Sequence, residues 1–121
     1  MPLLRVVDSI TELAAEDAGC IAVSGSHGGV SSARYALAAR PLLSIFNDAG
    51  IGKDRAGLAA LDVLQASDLA ACTVSHKSAR IGEALSTMHD GVISNVNALA
   101  LTLGVRVNEE CQRVIQKLQN P

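Results

Sequence analysis

The sequence predicts a small α/β domain with three layers, in which helices cover both faces of a short, mainly parallel sheet of about four strands. Two observations predict this fold. Four short runs are nearly continuous in apolar residues rather than alternating with polar ones, which is typical of parallel strands buried on both faces. Helical patterns separate these runs in regular alternation, as in β-α-β units with right-handed crossovers. The 121 residues, of which 49% are hydrophobic, suffice for one domain spanning residues 1–121.

The predicted strands and helices alternate along the first part of the chain. The apolar runs that we interpret as strands are Leu3–Val7, Cys20–Val23, Leu42–Phe46 and Ala70–Val74. The helices predicted between them are Ser9–Ala18, Ser31–Ala39 and Asp54–Ala66. Asp54 is the predicted N-cap of the third helix, whose leucines recur every three residues along one face. A final helix is predicted after its N-cap Asn108, with glutamates in the first turn and an apolar stripe toward the core.

The alternation of strand and helix ends after the fourth predicted strand. Ser75–Gly91 is polar and contains two glycines, and we expect either a lid or a broken helix there. Val92–Val105 is apolar on nearly every side, which predicts a helix that is buried all round. Because four strands are too few to cover such a helix, we infer that it packs against another copy of the chain in a homo-oligomer. Because a buried amide needs partners, Asn95 and Asn97 would either hydrogen-bond across that interface, which we favour, or reach the functional site.

Composition and charge exclude several classes of protein. The net charge is −2 at pH 7, no dense basic run is present, and one Tyr and one Phe offer almost no stacking surface, so nucleic acid is not an expected partner. No apolar segment approaches the roughly 18 residues that a membrane-spanning helix needs, and no secretory leader is visible. The three cysteines lack metal-like spacing, which indicates buried, reduced thiols in a cytoplasmic protein.

Polar side chains follow each predicted strand, whereas the opposite strand ends offer little reactive polarity. Open parallel sheets bind ligands beyond the carboxyl ends of their strands, so this asymmetry predicts a site at that edge. The residues concerned are Asp8 and Ser9 after the first strand, Ser24, Ser26 and His27 after the second, Asn47, Asp48 and Lys53 after the third, and Ser75, His76, Lys77, Ser78 and Arg80 after the fourth. Three kinds of chemistry suit these residues.

Anion capture is the first. Gly28 and Gly29 allow the backbone to turn tightly just before a helix, so that free N–H groups and the helix dipole would face a phosphate or a carboxylate. Lys77, Arg80 and Lys53 would add positive charge. The loop has neither the spacing of a dinucleotide-binding fingerprint nor the Gly-Lys-Ser/Thr of a P-loop.

Nucleophilic catalysis by serine is the second. The stretch Ser24-Gly25-Ser26-His27-Gly28-Gly29, between a predicted strand and a predicted helix, resembles the nucleophile elbow of α/β-hydrolases. The triad that the resemblance implies is Ser26 as nucleophile, then Asp48, then His76 or His89. The chain departs from the family in two ways, because Ser24 stands where the elbow has its first glycine and the upstream strands of the hydrolase fold are absent.

Acid–base or metal chemistry by histidine is the third. His27, His76 and His89 all fall at the predicted edge or in the polar segment after it, and histidine is suited to proton transfer near neutral pH. Asp48 would orient His76 for this purpose. The three histidines and Asp48 would together make a zinc site, but no pair has the i, i+4 spacing of helical ligands, and we predict no metal. The sequence identifies no cofactor.

The sequence therefore predicts an enzyme of the hydrolase, lyase or isomerase type that acts on a small anionic metabolite. Its chemistry would be acid–base catalysis by histidine and aspartate or catalysis assisted by Ser26. The other predicted roles are proton transfer for His27 and His76, orientation of a histidine for Asp48, and anion binding for Gly28, Gly29, Lys77 and Arg80. The alternative is a non-catalytic module that binds an anionic metabolite, or a subunit of a larger complex.

Overall fold

A sheet of five strands, in the spatial order β1-β2-β3-β4-β5, forms the centre of the molecule. The computed structural model describes residues 1–121. The first four strands are parallel, and β5 pairs antiparallel with β4. The predicted α/β fold with a mainly parallel sheet is confirmed, with one strand more than predicted. The strands are β1 Leu4–Val7, β2 Ile21–His27, β3 Leu43–Asn47, β4 Ala70–Val74 and β5 Ile93–Val96.

Helices cover both faces of this sheet. The helices are α1 Val30–Ala39, α2 Ala59–Ala66, α3 Ala84–Asp90, α4 Ala98–Thr102 and α5 Cys111–Gln119. Each parallel strand lies beside the one before it, so successive right-handed crossovers put α1 and α2 on the same face. Ala36 of α1 and Leu64 of α2 join one apolar cluster there. Met88 of α3 and Val114 of α5 join a second cluster on the opposite face.

The central strands are buried on both faces, which explains why their sequences are apolar without alternation. Ile45 of β3 packs in the cluster with α5, whereas its neighbour Phe46 packs in the cluster under α1 and α2. Both side chains are completely buried. The small side chains of Ala33, Ala36 and Ala71 let α1 and the sheet approach each other closely in a core that holds a single aromatic ring.

The segment Ser9–Ala18 forms two 3-10 turns, and the single helix predicted there is wrong. The turns are Ile10–Glu12 and Ala15–Asp17. Ser9 caps the first turn in a capping box with Glu12, and Asp17 accepts a hydrogen bond from the backbone N–H of Ala14 at 2.8 Å. The polar residues that suggested an acidic helix therefore hold short turns.

Two predicted N-caps are also wrong, because both residues have a left-handed backbone rather than the extended backbone of a cap. Asp54 has a φ of 56°, and α2 begins only at Ala59. Asn108 has a φ of 72°, and α5 begins at Cys111.

The buried helix predicted over Val92–Val105 is wrong, because the segment divides into β5 and α4 at Asn97. The Asn97 side chain accepts hydrogen bonds from the backbone of Ala71 and Ala100, and it donates two to carbonyls of α2 and of the segment before β4. The side chain of Asn95 likewise bonds within the chain, to Thr73. The predicted homo-oligomer therefore loses the helix on which it was based.

No helix combines the length and the apolar character that crossing a membrane requires.

All three cysteines are buried free thiols, as the spacing predicts. Burial raises the pKa of Cys111 to about 12, so this thiol stays protonated at neutral pH. The cysteines are therefore part of the core.

Candidate functional site

The carboxyl edge of the parallel strands carries three adjoining cavities. The His76 cavity, of about 510 Å³, is lined by the segment that follows β4. The α1 cavity, of about 270 Å³, lies beside the first turn of α1, and an intermediate cavity of about 410 Å³ separates the two. Ala49 lines the His76 cavity and the intermediate cavity, and His27 lines the intermediate cavity and the α1 cavity.

Asp48 and His76 form a hydrogen-bonded pair at this edge. Nδ1 of His76 lies 3.1 Å from Oδ1 of Asp48. The same oxygen accepts the backbone N–H of His76 at 3.1 Å and that of Gly50 at 2.8 Å. The Asp48 side chain is 6% exposed and that of His76 is 47% exposed. The carboxylate is therefore fixed behind the ring, and the ring faces the cavity.

The surroundings of Asp48 stabilise its charged form. Burial by itself raises the pKa of the carboxyl, but the backbone N–H groups of Gly50 and His76 donate hydrogen bonds that lower it. The side chains of Ser94 and His76 add to this lowering, and the net pKa lies below its ordinary value. Asp48 is therefore ionised at neutral pH.

An ionised Asp48 fixes the state of the His76 ring. A carboxylate only accepts hydrogen bonds, so the neutral ring must carry its proton on Nδ1, the atom that faces Asp48. Nε2 is then left with a free lone pair. This arrangement of carboxylate and imidazole is the one that general bases use, with the carboxylate stabilising the imidazolium that forms when Nε2 takes a proton.

A pair of hydroxyl groups behind Asp48 was not predicted from the sequence. Ser94 of β5 lies with its Oγ 2.8 Å from Oγ1 of Thr73, and Asn95 donates a hydrogen bond to each of the two hydroxyls. The Ser94 hydroxyl in turn lowers the pKa of the Asp48 carboxyl. The signal that pointed to this group was the amide of Asn95 in an apolar run, which the prediction of a helix assigned to an interface.

A hydrogen-bonded turn after β4 presents His76 and Lys77. Oγ of Ser75 accepts the backbone N–H of Lys77 at 3.1 Å. Ser78 donates its hydroxyl to the Ser75 carbonyl at 2.7 Å and accepts the backbone N–H of Val92 at 2.9 Å. The segment is thus hydrogen-bonded at both ends, within the turn after β4 and to the residue that precedes β5. The structure therefore has a fixed turn followed by the short helix α3 there, rather than a lid.

Two of the predicted cations line the same cavity as His76. Lys77 makes no ion pair, and Arg80 lies 4.0 Å from Glu83 with its side chain 81% exposed, so both charges are available to a ligand. Lys53 lines none of the three cavities. The two cations therefore lie next to His76, and the carboxylate of Asp90 lines the same cavity.

The two adjacent glycines serve different purposes. The N–H of Gly28 donates to the carbonyl of Asn47 at 3.0 Å, so it is not free to bind the predicted anion. A Cβ on Gly28 would overlap the carbonyl oxygen of Gly57, which makes Gly28 a point of close backbone packing. Gly29 is the N-cap of α1, and the ring of His27 packs over it.

Ser26 is not joined to any histidine. Its Oγ accepts the backbone N–H of Ile10 at 2.9 Å, and it lines the α1 cavity rather than the His76 cavity. Asp48 and His76 would be its partners in a serine triad. They are hydrogen-bonded to each other, but neither is hydrogen-bonded to Ser26.

Replacing Ser26 by alanine is expected to lower the free energy of unfolding by about 1–2 kcal/mol, because the N–H of Ile10 loses its acceptor. Urea denaturation measures this change. A fluorophosphonate probe, which labels activated serines, is expected to leave the wild-type protein unmodified by intact-mass analysis. Stoichiometric labelling that disappears in Ser26→Ala would instead identify Ser26 as a nucleophile.

His89 lies apart from the other histidines. Its Nδ1 is 3.1 Å from the side-chain nitrogen of Gln112 on α5. The chain contains no group of three or more His, Cys, Asp or Glu residues placed to hold a metal ion. The zinc site considered from the three histidines and Asp48 therefore does not form.

The Asp48 carboxylate is expected to make stability depend on pH. Because its pKa is lower in the folded than in the unfolded chain, its contribution is complete above the ordinary aspartate pKa of about 4 and is lost as the pH falls through the folded value. Urea denaturation between about pH 5 and pH 3 should show a steeper loss for wild type than for Asp48→Asn. Asp62→Asn, which removes an exposed carboxylate outside any ion pair, is the matched control; equal slopes for wild type and Asp48→Asn would contradict the prediction.

Comparison with known proteins finds no family model, no curated protein and no solved structure that matches the chain. The arrangement at the edge is a fixed carboxylate, an exposed imidazole with a free nitrogen, and the cations Lys77 and Arg80 around one cavity. Such groups can move a proton and hold a negative charge at the same place.

Proposed function

We propose that this protein is an enzyme that acts on a small anionic metabolite by acid–base chemistry at His76. The observation that carries the proposal is the Asp48–His76 pair, in which a buried carboxylate orients an exposed ring at the mouth of a cavity.

The roles follow from the positions of the groups. Nε2 of His76 takes a proton from the substrate, or from a water that attacks it, and returns a proton later in the reaction. Asp48 holds Nδ1 and stabilises the imidazolium. Lys77 and Arg80 bind the carboxylate or phosphate of the substrate and offset negative charge that develops on it. Ser94 is a positioning residue, since it lowers the pKa of the Asp48 carboxyl and does not line the cavity.

Proton NMR in D2O tests the proposal without knowledge of the reaction. Mixtures of small carboxylates and phosphate esters are incubated with the protein, and the spectra report both conversion and exchange of C–H for C–D. We expect wild type to act on at least one compound and His76→Ala to lose that action. If ligands raise the melting temperature but His76→Ala changes no reaction, the protein is the non-catalytic binding module instead.

Removal of both cations is expected to weaken binding of the anionic ligand. A ligand that raises the melting temperature of the wild-type protein should bind Lys77→Ala/Arg80→Ala at least about tenfold more weakly, because two charge-assisted contacts are lost. Isothermal titration calorimetry measures the affinity. The matched control is Arg34→Ala/Arg113→Ala, which removes the same net charge from exposed positions outside the three cavities. Equal losses in the two double variants would show that only overall charge matters.

The cellular location and the oligomeric state belong to the same proposal. Three buried free thiols support a reducing compartment such as the cytoplasm. Ile81 and Leu85, which are 53% and 61% exposed beside Arg80, support contact with a second copy. A single monomeric mass in light scattering at micromolar concentration would remove the homo-oligomer from the proposal.

A further inference from the structure

We propose that the α1 cavity binds the phosphate group of a small metabolite. The proposal goes beyond the acid–base function and does not depend on it, because the residues that carry it line a different cavity from His76. It concerns a binding site and includes no chemical step.

The first observation is the beginning of α1. This helix has ten residues with Gly29 as its N-cap. As in any α-helix, the N–H groups of the first turn, here those of Val30, Ser31 and Ser32, have no carbonyl partner within the helix. The helix dipole adds a partial positive charge at this end, and the two effects together favour an anion. Many helices begin in this way without binding a ligand, so this observation alone is insufficient.

The second observation is the side chain of Ser32. Ser32 is 6% exposed, its hydroxyl makes no hydrogen bond within the protein, and it lines the α1 cavity. The hydroxyl of this otherwise buried residue opens into the cavity rather than into the core, so it is available to a ligand there. An oxygen atom of a ligand in the cavity would supply the missing partner.

The third observation is the chemical character of the cavity wall. No carboxylate lines it. The hydroxyl groups that line it belong to Ser9, Thr11, Ser26, Ser31, Ser32 and Tyr35. Those of Ser31 and Tyr35, like that of Ser32, are not used by other hydrogen bonds. His27 also lines the wall and supplies a ring nitrogen.

The number of donors distinguishes a phosphate from a carboxylate. The backbone N–H groups of Ser31 and Ser32 and the unused hydroxyls of Ser31, Ser32 and Tyr35 belong to residues that line the cavity, whereas a carboxylate presents only two oxygens to them. The three terminal oxygens of a phosphate monoester are strong acceptors and match this set better. The cavity of about 270 Å³ also has room for part of the molecule that bears the phosphate.

Amide NMR with inorganic phosphate tests the site. In 15N-labelled protein the signals of Val30, Ser31 and Ser32 are expected to shift and saturate as phosphate is added. Ser32→Ala should weaken this binding by about tenfold or more, because a hydrogen bond to a charged group is lost. Ser31→Asp should abolish it and raise the melting temperature, since the new carboxylate occupies the favourable end of the helix.

Two controls separate this proposal from the proposed function. Ser86→Ala, which removes a serine from the His76 cavity, and His76→Ala are both expected to leave the phosphate shifts of α1 unchanged. Shifts confined to the turn around Lys77, or unsaturated shifts throughout the protein, would overturn the site. Equal phosphate affinity in Ser31→Asp and wild type would overturn it as well. Loss of catalysis in His76→Ala with intact phosphate shifts supports both proposals independently.

Discussion

Replacing Asp48 by asparagine is expected to lower turnover by about 10²–10³-fold while the protein remains folded. Asparagine has the same shape and keeps an oxygen that accepts the backbone N–H groups of Gly50 and His76, so the turn is retained. The same oxygen faces Nδ1 of His76, so the proton stays on Nδ1. What is lost is the negative charge that stabilises the imidazolium formed when Nε2 takes a proton.

Two measurements separate this effect from simple damage to the fold. The D2O exchange assay reports the loss of turnover, and 15N spectra of the imidazole report which nitrogen carries the proton. We expect protonation on Nδ1 in both wild type and Asp48→Asn, so that the loss of turnover reports the loss of charge, with Asp62→Asn resembling wild type in both measurements. Full turnover in Asp48→Asn would contradict the role of the Asp48 charge in stabilising the imidazolium.

The sequence predicts the parallel part of the sheet well because burial on both faces leaves a strong pattern. The runs that form β2, β3 and β4 each contain a stretch of consecutive apolar residues, although β2 continues beyond it through Ser24 to His27. β5 escapes prediction since its run continues into α4, and one residue, Asn97, separates the two elements. Three of its four hydrogen bonds reach residues distant in the sequence, so its role between the two elements is largely tertiary. The fourth is the local bond of an N-cap, from the backbone N–H of Ala100.

The candidate site was predicted in outline for a reason of topology. The carboxyl ends of β3 and β4 are neighbours, so Asp48 and His76 had to fall close together once the strands were known. What the sequence could not provide is the contribution of β5, which pairs with β4 and brings Ser94 to the Asp48 carboxyl. The sequence also could not show that the N–H of Gly28 is already used, because its acceptor, the carbonyl of Asn47, is distant in the sequence.

Close backbone packing beneath the site predicts a large effect for a single methyl group. Replacing Gly57 by alanine is expected to lower the free energy of unfolding by about 3 kcal/mol or more. A Cβ on Gly57 would overlap the carbonyl oxygen of Asp48, and backbone cannot move aside as a flexible side chain can. The carbonyl of Gly57 in turn lies against Gly28, so a shift of Gly57 disturbs the entry to α1 as well.

Gly29→Ala is the matched control, because the atoms that a Cβ would overlap there belong to the His27 ring, which can rotate away. We expect this variant to lose only about 0.5–1 kcal/mol, the cost of alanine in place of glycine at an N-cap. Urea denaturation compares the two, and amide NMR of Asp48 and His76 reports whether the pair is displaced in Gly57→Ala. Equal stability of the two variants would mean that the Asp48 backbone is not held against Gly57. The carboxylate would then lack the rigid support that its role toward His76 requires.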